Sequence, residues 1–211
     1  MEKVTAKKFF DLFMSALGGE NEQITANEYK NSGALWTTYI TFKVQEFLEK
    51  QLNLKTNKEY FRIDMIGWSG NDKWSEKDIT TNKDQIGYLS HKKSSRSELK
   101  LDEYDWNLEV AVEFENEPEK WSDEVIKLCH IKCGIKVVIA YNYINERNLD
   151  MEKLEFVAEH MRNLSYGTPI ANEEFMVILG NCRRKEGSYT DMKSIEYIAY
   201  TFDGEHFNEL S

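Results

Sequence analysis

From Ile135 to Tyr141 the chain reads Ile-Lys-Val-Val-Ile-Ala-Tyr, an almost unbroken run of β-branched and aromatic residues. A run this short falls well below the ~20 apolar residues of a membrane helix, and no longer apolar stretch exists, so no membrane span is expected. As a strand it is apolar on both faces, which is the pattern of a strand covered on both sides within an α/β sheet. Glu174 to Leu179 repeats the pattern. Between them, Met151 to Asn163 has helical spacing, and a second helix is expected from Ser122 to about Lys132. Ser122 suits an N-cap, Asp123 and Glu124 suit the positive end of the helix dipole, and Gly134 suits the stop. Alternating strands and helices of this kind define an α/β fold with a mixed central sheet flanked by helices.

The remaining segments fill out that frame. Val4, Phe9, Phe10, Phe13 and Leu17 recur at helical spacing until Gly18-Gly19, giving an appended N-terminal helix over 4–17. Trp36, Ile40, Val44, Phe47 and Leu48 mark an amphipathic helix over 34–50. Tyr60 to Trp68 reads as a strand, and residues 69–100 as a polar excursion outside the sheet. Trp106 to Asn116 is a second strong strand, and Ile195 to Phe202 a last one. The 211 residues are 41% hydrophobic with only two prolines, which excludes a disordered or low-complexity chain and fits one domain: helix 4–17 appended, a core over about 34–145, then a helix and strands over 150–205. The charged N-terminus lacks the apolar centre of a secretory signal and points to the cytoplasm, where three cysteines fit reduced thiols.

Within the strand ending at Asn116, Glu113 and Glu115 share a face by the period of two, opposite Val112 and Phe114. Carboxylates on a strand are most often a solvent-facing edge. Here Val110, Ala111 and Val112 lead into them, and Asp64 is set between Ile63 and Met65 in the same way. Acids gathered among apolar residues repel one another unless a hard cation neutralises them, and oxygen ligands suit magnesium or manganese.

Those residues carry a resemblance. Arg62-Ile-Asp64-Met-Ile66, then Val110-Ala-Val-Glu113-Phe-Glu115-Asn116, then Trp121 with Glu124-Val-Ile-Lys127-Leu128, then Ile135 to Tyr141, resemble the PD-(D/E)XK nuclease superfamily over roughly 34–145, the helix-strand-strand-strand-helix-strand part of that fold. The resemblance implies a restriction-endonuclease-like core in which Asp64 and Glu113 hold a magnesium or manganese ion beside a scissile phosphate, with Glu46 as a supporting acid on the leading helix. It also implies a nucleic-acid partner, DNA before RNA. The sequence departs from the pattern where lysine is wanted and Glu115 stands, and no proline precedes Asp64. Lys127 has two readings, the missing cation delivered from a helix or a solvated lysine paired with Glu124 at i,i+3, and spacing alone favours the second.

Other constellations are weaker. Cys129 and Cys133 at i,i+4 offer half of a zinc site, and core thiols are the better reading. His91 lies in the polar excursion, and His160 and His206 have neither a cysteine nor another histidine at ligand distance, so each reads as an exposed or satisfied histidine. Lys92-Lys93 to Arg96 and Arg183-Arg184-Lys185 are the concentrated basic patches. The net charge of −10, from 37 acidic and 27 basic residues, disfavours a protein held to nucleic acid by a broadly basic surface. Two function classes follow: a metal-dependent nuclease using Asp64, Glu113, Glu115 and Lys127, or a non-catalytic acidic interaction or inhibitor protein on the same scaffold, in a defence or mobile-element system. A protein partner or a homodimer is open in either case.

Overall fold

The apolar run that dominates the sequence becomes the middle strand of a seven-stranded sheet whose spatial order follows the chain, β1 to β7. The computed structural model describes residues 3–18, 33–60, 62–70, 106–143, 147–164, 173–183 and 195–210. In chain order these form α1 (Ala6–Leu17), α2 (Gly33–Lys50), β1 (Lys55–Tyr60), β2 (Ile63–Gly70), β3 (Trp106–Glu115), α3 (Trp121–Cys129), β4 (Ile135–Tyr143), α4 (Arg147–Asn163), β5 (Glu174–Arg183), β6 (Glu196–Phe202) and β7 (Phe207–Glu209). β3, β4 and β5 run parallel and every other neighbouring pair is antiparallel, so the sheet is mixed, as expected.

The parallel strands are joined through α3 and α4. Both crossovers step the same way along the sheet, and crossovers of one hand then place both helices on one face. There Trp121, Val125 and Leu128 of α3 and Leu154, Val157 and Met161 of α4 pack on Ile66, Ala111, Val138, Ala140 and Val177. The opposite face is covered by α1 and α2, whose Phe9, Phe13, Ile40, Val44 and Phe47 meet Met65, Val110, Val112, Val137 and Ile178. Thr5 caps α1 by accepting from the Lys8 N–H, and Glu174 at the start of β5 accepts from the Ala6 N–H at 2.7 Å. No helix among the described residues is long and apolar enough to cross a membrane.

Several sequence expectations are corrected. The single strand expected over Tyr60 to Trp68 is a hairpin: the chain reverses between Tyr60 and Ile63, with Arg62 in the left-handed region at φ 66°. β1, Lys-Thr-Asn-Lys-Glu-Tyr, is a polar edge strand with no apolar alternation to reveal it. β7 was likewise not legible. α3 begins at Trp121 with Lys120 at its N-cap and no side-chain cap bond, so Ser122 lies inside the helix. Trp121 is fully buried, and burying about 200 Å² of aromatic side chain is worth about 5 kcal/mol against about 1 kcal/mol for a serine cap, so the tryptophan sets the helix start. α3 also ends at Cys129, earlier than Lys132. Gly134 serves the sheet instead: its N–H donates to Leu108 O at 3.1 Å, and a Cβ there would stand 2.8 Å from Glu109 O. The polar excursion lies outside the described residues beyond Gly70, as do His91, the basic run Lys92 to Arg96 and the side chains of Arg183 to Lys185.

Candidate active site

β3 is the third of seven strands, so its acids are not on a sheet edge. Pairing of Met65 with Val112 brings the next residues outward, Asp64 and Glu113, side by side at the end of the β2–β3 ladder. Both follow the alternation of Ile66 and Ala111 onto the α3/α4 face. The Phe114 N–H donates to Asp64 Oδ2 at 2.8 Å, which ties the carboxylate of β2 to the backbone of β3.

Glu113 is 1% exposed. A carboxylate so placed needs a charge partner, and α3 supplies it: Lys127 Nζ lies 2.9 Å from Glu113 Oε1. The same ammonium ion-pairs with Glu124 one turn earlier on the helix and donates to Arg62 O at 3.1 Å, next to the hairpin reversal. Lys127 thus makes the i,i+3 pair with Glu124 that spacing favours, and in addition an ion pair with Glu113 on β3. It is no ordinary solvated lysine, being only 36% exposed at its side chain. Burial lifts the Glu113 carboxyl to about 8, with the nearby Asp64 charge adding to the lift and the Lys127 ammonium opposing it. For Lys127 burial disfavours the ammonium, but the contacts to Glu124 and Glu113 outweigh it and raise its proton affinity.

Glu115 sits on the same face two residues on, and its Oε1 accepts from the Glu117 N–H at 2.7 Å, holding the turn that leads into α3. Glu46 is not brought to this cluster. Its helix, α2, packs on the other face of the sheet, where Glu46 pairs with Lys50 at 2.6 Å and Lys43 at 3.4 Å. Thr37 of α2 accepts from Asn116 Nδ2 at the end of β3, and Glu46 lies about 13 Å further along that helix at 1.5 Å per residue. The Lys50 contact first, and then Lys43, hold its carboxyl below the ordinary range despite burial.

Cys133 lies beyond the end of α3 rather than one helical turn from Cys129; its thiol donates to Ile135 O at 2.8 Å. Both thiols are free, buried and pushed up by desolvation, to about 11 and about 12. His206 pairs with Glu155 at 2.9 Å on the surface. Sequence reasoning missed one feature: beyond the carboxyl ends of β3 and β4, Trp121, Asn142 and Lys153 border a cavity of about 240 Å³. The only signal for it was Asn142, a polar residue continuing an apolar run.

Among the described residues no group of three or more histidine, cysteine, aspartate or glutamate side chains is gathered as a metal shell. Comparison with family models, with curated proteins and with solved structures returns no match.

Proposed function

We propose that this chain is a metal-dependent nuclease of the PD-(D/E)XK kind, hydrolysing phosphodiester bonds of nucleic acid, DNA before RNA. The observation that carries the reading is the Lys127 ammonium 2.9 Å from Glu113, because a cation beside the second acid is what the Glu115 position lacks. Support also comes from the order of elements over Gly33–Tyr143, helix, three strands, helix and strand, which is the order the resemblance implies.

The donor set fits magnesium or manganese. Asp64 and Glu113 offer hard oxygens, and magnesium is commonly held by one or two carboxylates with waters and substrate phosphates completing its shell. Lys127 alone does not offset the burial of Glu113, whose carboxyl stays lifted to about 8, so the cluster has an unmet demand for positive charge. Such a cation would polarise the phosphate and make a bound water more acidic. Asp64 and Glu113 would hold it. Lys127 would steady negative charge developing on the phosphoryl oxygens. Glu115 would accept a proton through the oxygen not engaged by the Glu117 N–H.

The test is cleavage of single- and double-stranded DNA and RNA with magnesium or manganese, against Glu113→Gln and Lys127→Met. Metal-dependent cleavage lost in both variants is expected. No cleavage of any substrate favours the second reading, a non-catalytic acidic interaction protein, which the net charge of −10 supports.

A further inference from the structure

α4 packs on the sheet through Leu154, Val157 and Met161, yet it also turns large apolar side chains outward: Phe156 is 67% exposed and Leu149 54%. Single apolar residues scattered over a surface need no explanation. These two are seven residues apart, so they lie on one line along the helix, two turns and about 10.5 Å from each other at 1.5 Å per residue. Leu149 also borders the cavity of about 240 Å³ together with Pro118, so the stripe leads from Phe156 to an apolar recess beyond the end of β4.

Charge decides what the stripe can meet. Glu119, Asp123 and Asp150 lie within electrostatic reach of Lys153 at the recess, and Glu152 and Glu159, spaced by the same seven residues, stand exposed along the outer side of the stripe. Nearby cations are engaged: Lys120 by Glu117 at 2.7 Å and Arg162 by Glu155 at 3.2 Å. The surroundings of the stripe are therefore acidic. A nucleic-acid strand or an anionic lipid surface would be repelled. A second copy of the chain would be repelled as well, because a two-fold interface sets the same patch, with the same carboxylates, against itself.

We propose that the face of α4 carrying Leu149 and Phe156 docks a basic amphipathic helix of a partner protein. Apolar anchors of such a helix recur at i, i+3 or i+4, and i+7, which matches the spacing of Leu149 and Phe156. Its flanking lysines or arginines meet Glu152 and Glu159 on the outer side and Glu119 at the recess. Phe156 is the anchor on this side, a large ring that brings much apolar area into the contact and few rotatable bonds to fix. The recess beside Leu149 receives one apolar side chain of the partner. Asp64 and Glu113 take no part, so the inference is independent of the nuclease reading.

The probe is an amidated peptide of about 18 residues, five helical turns, with leucine on one face and lysine and glutamine on the other. It is titrated against the full chain by fluorescence anisotropy. One-to-one binding is expected, weakened at least tenfold in Phe156→Ser and in Leu149→Ser at an unchanged melting temperature, and weakened further as salt rises. Phe42→Ser, which removes an equally exposed side chain from α2 on the other face of the sheet, should bind as the wild type does. A peptide of the same composition in scrambled order, and the helix with glutamate in place of lysine, should not bind. Absence of binding, an equal loss in Phe42→Ser, or equal binding of either control peptide overturns the proposal. So does a dimer in sedimentation that Phe156→Ser abolishes, which would give the face to a second copy. Flotation with phosphatidylcholine vesicles that the same variant abolishes would give it to a lipid surface, and overturns the proposal too.

Discussion

Lys127 Nζ, carried on α3, stands 2.9 Å from Oε1 of Glu113 on β3, and this pair holds the only charge compensation in direct contact with the buried carboxylate among the described residues. Removing the ammonium leaves Glu113 to protonate or to remain charged without a partner. Lys127→Met should therefore cost about 1–3 kcal/mol at pH 9 and distinctly less at pH 6, where Glu113 takes a proton. Chemical denaturation of Lys127→Met, Glu113→Gln and the double variant measures this; additive effects would show that the pair is not coupled.

Glu113 also predicts the pH dependence of the fold. Its carboxyl is raised from 4.5 to about 8 on folding, so the folded chain binds a proton that the unfolded chain has released. The stability it contributes is fully present below about pH 4.5 and falls as pH rises towards 8, by at most about 1.4 kcal/mol per pH unit. Glu113→Gln should flatten the profile between pH 5 and 8 and exceed wild type above pH 8. Equal slopes in urea titrations of the two proteins would refute the buried-acid account.

Manganese or magnesium should raise the melting temperature by binding the folded cluster and not the unfolded chain, the linkage amounting to about 2.7 kcal/mol at 100 times the dissociation constant. Asp64→Asn, which can still accept from the Phe114 N–H, and Glu113→Gln should both lose the shift. Glu46→Gln should keep it, because its carboxylate lies on the far face of the sheet. A shift lost in Glu46→Gln would return that residue to the site.

The sheet makes a prediction independent of function. A Cβ at Gly180 of β5 would meet Tyr197 Cε1 at 2.8 Å and Tyr141 Cδ1 at 2.9 Å, two rings already packed edge to face. Gly180→Ala should destabilise by about 1–3 kcal/mol, the usual range for an overfilled core. A thermal melt indistinguishable from wild type would show that the rings yield freely.

The α/β class, the central place of the Ile135–Tyr141 run, the order of the major elements and the embedding of Asp64 and Glu113 were all legible in the sequence, because apolar runs and periods of two and 3.6 report directly which face of each element is buried. Tertiary structure decided the rest. β1 escapes side-chain pattern because a polar edge strand is held by backbone hydrogen bonds to its neighbour, and β7 because three residues with one buried side chain, Phe207, show no period. The start of α3 follows burial of Trp121, a contact made with the sheet and α4, and overrides a sound local cap at Ser122. Asp64 and Glu113 meet through the β2–β3 register, and Lys127 joins them through the docking of α3, neither of which residue spacing along the chain can encode. Glu46, a plausible ligand by its helix and residue type, falls on the opposite face: the crossover helices α3 and α4 occupy the face that carries Asp64 and Glu113, and α2 packs on the other, a choice that residue spacing within α2 does not encode.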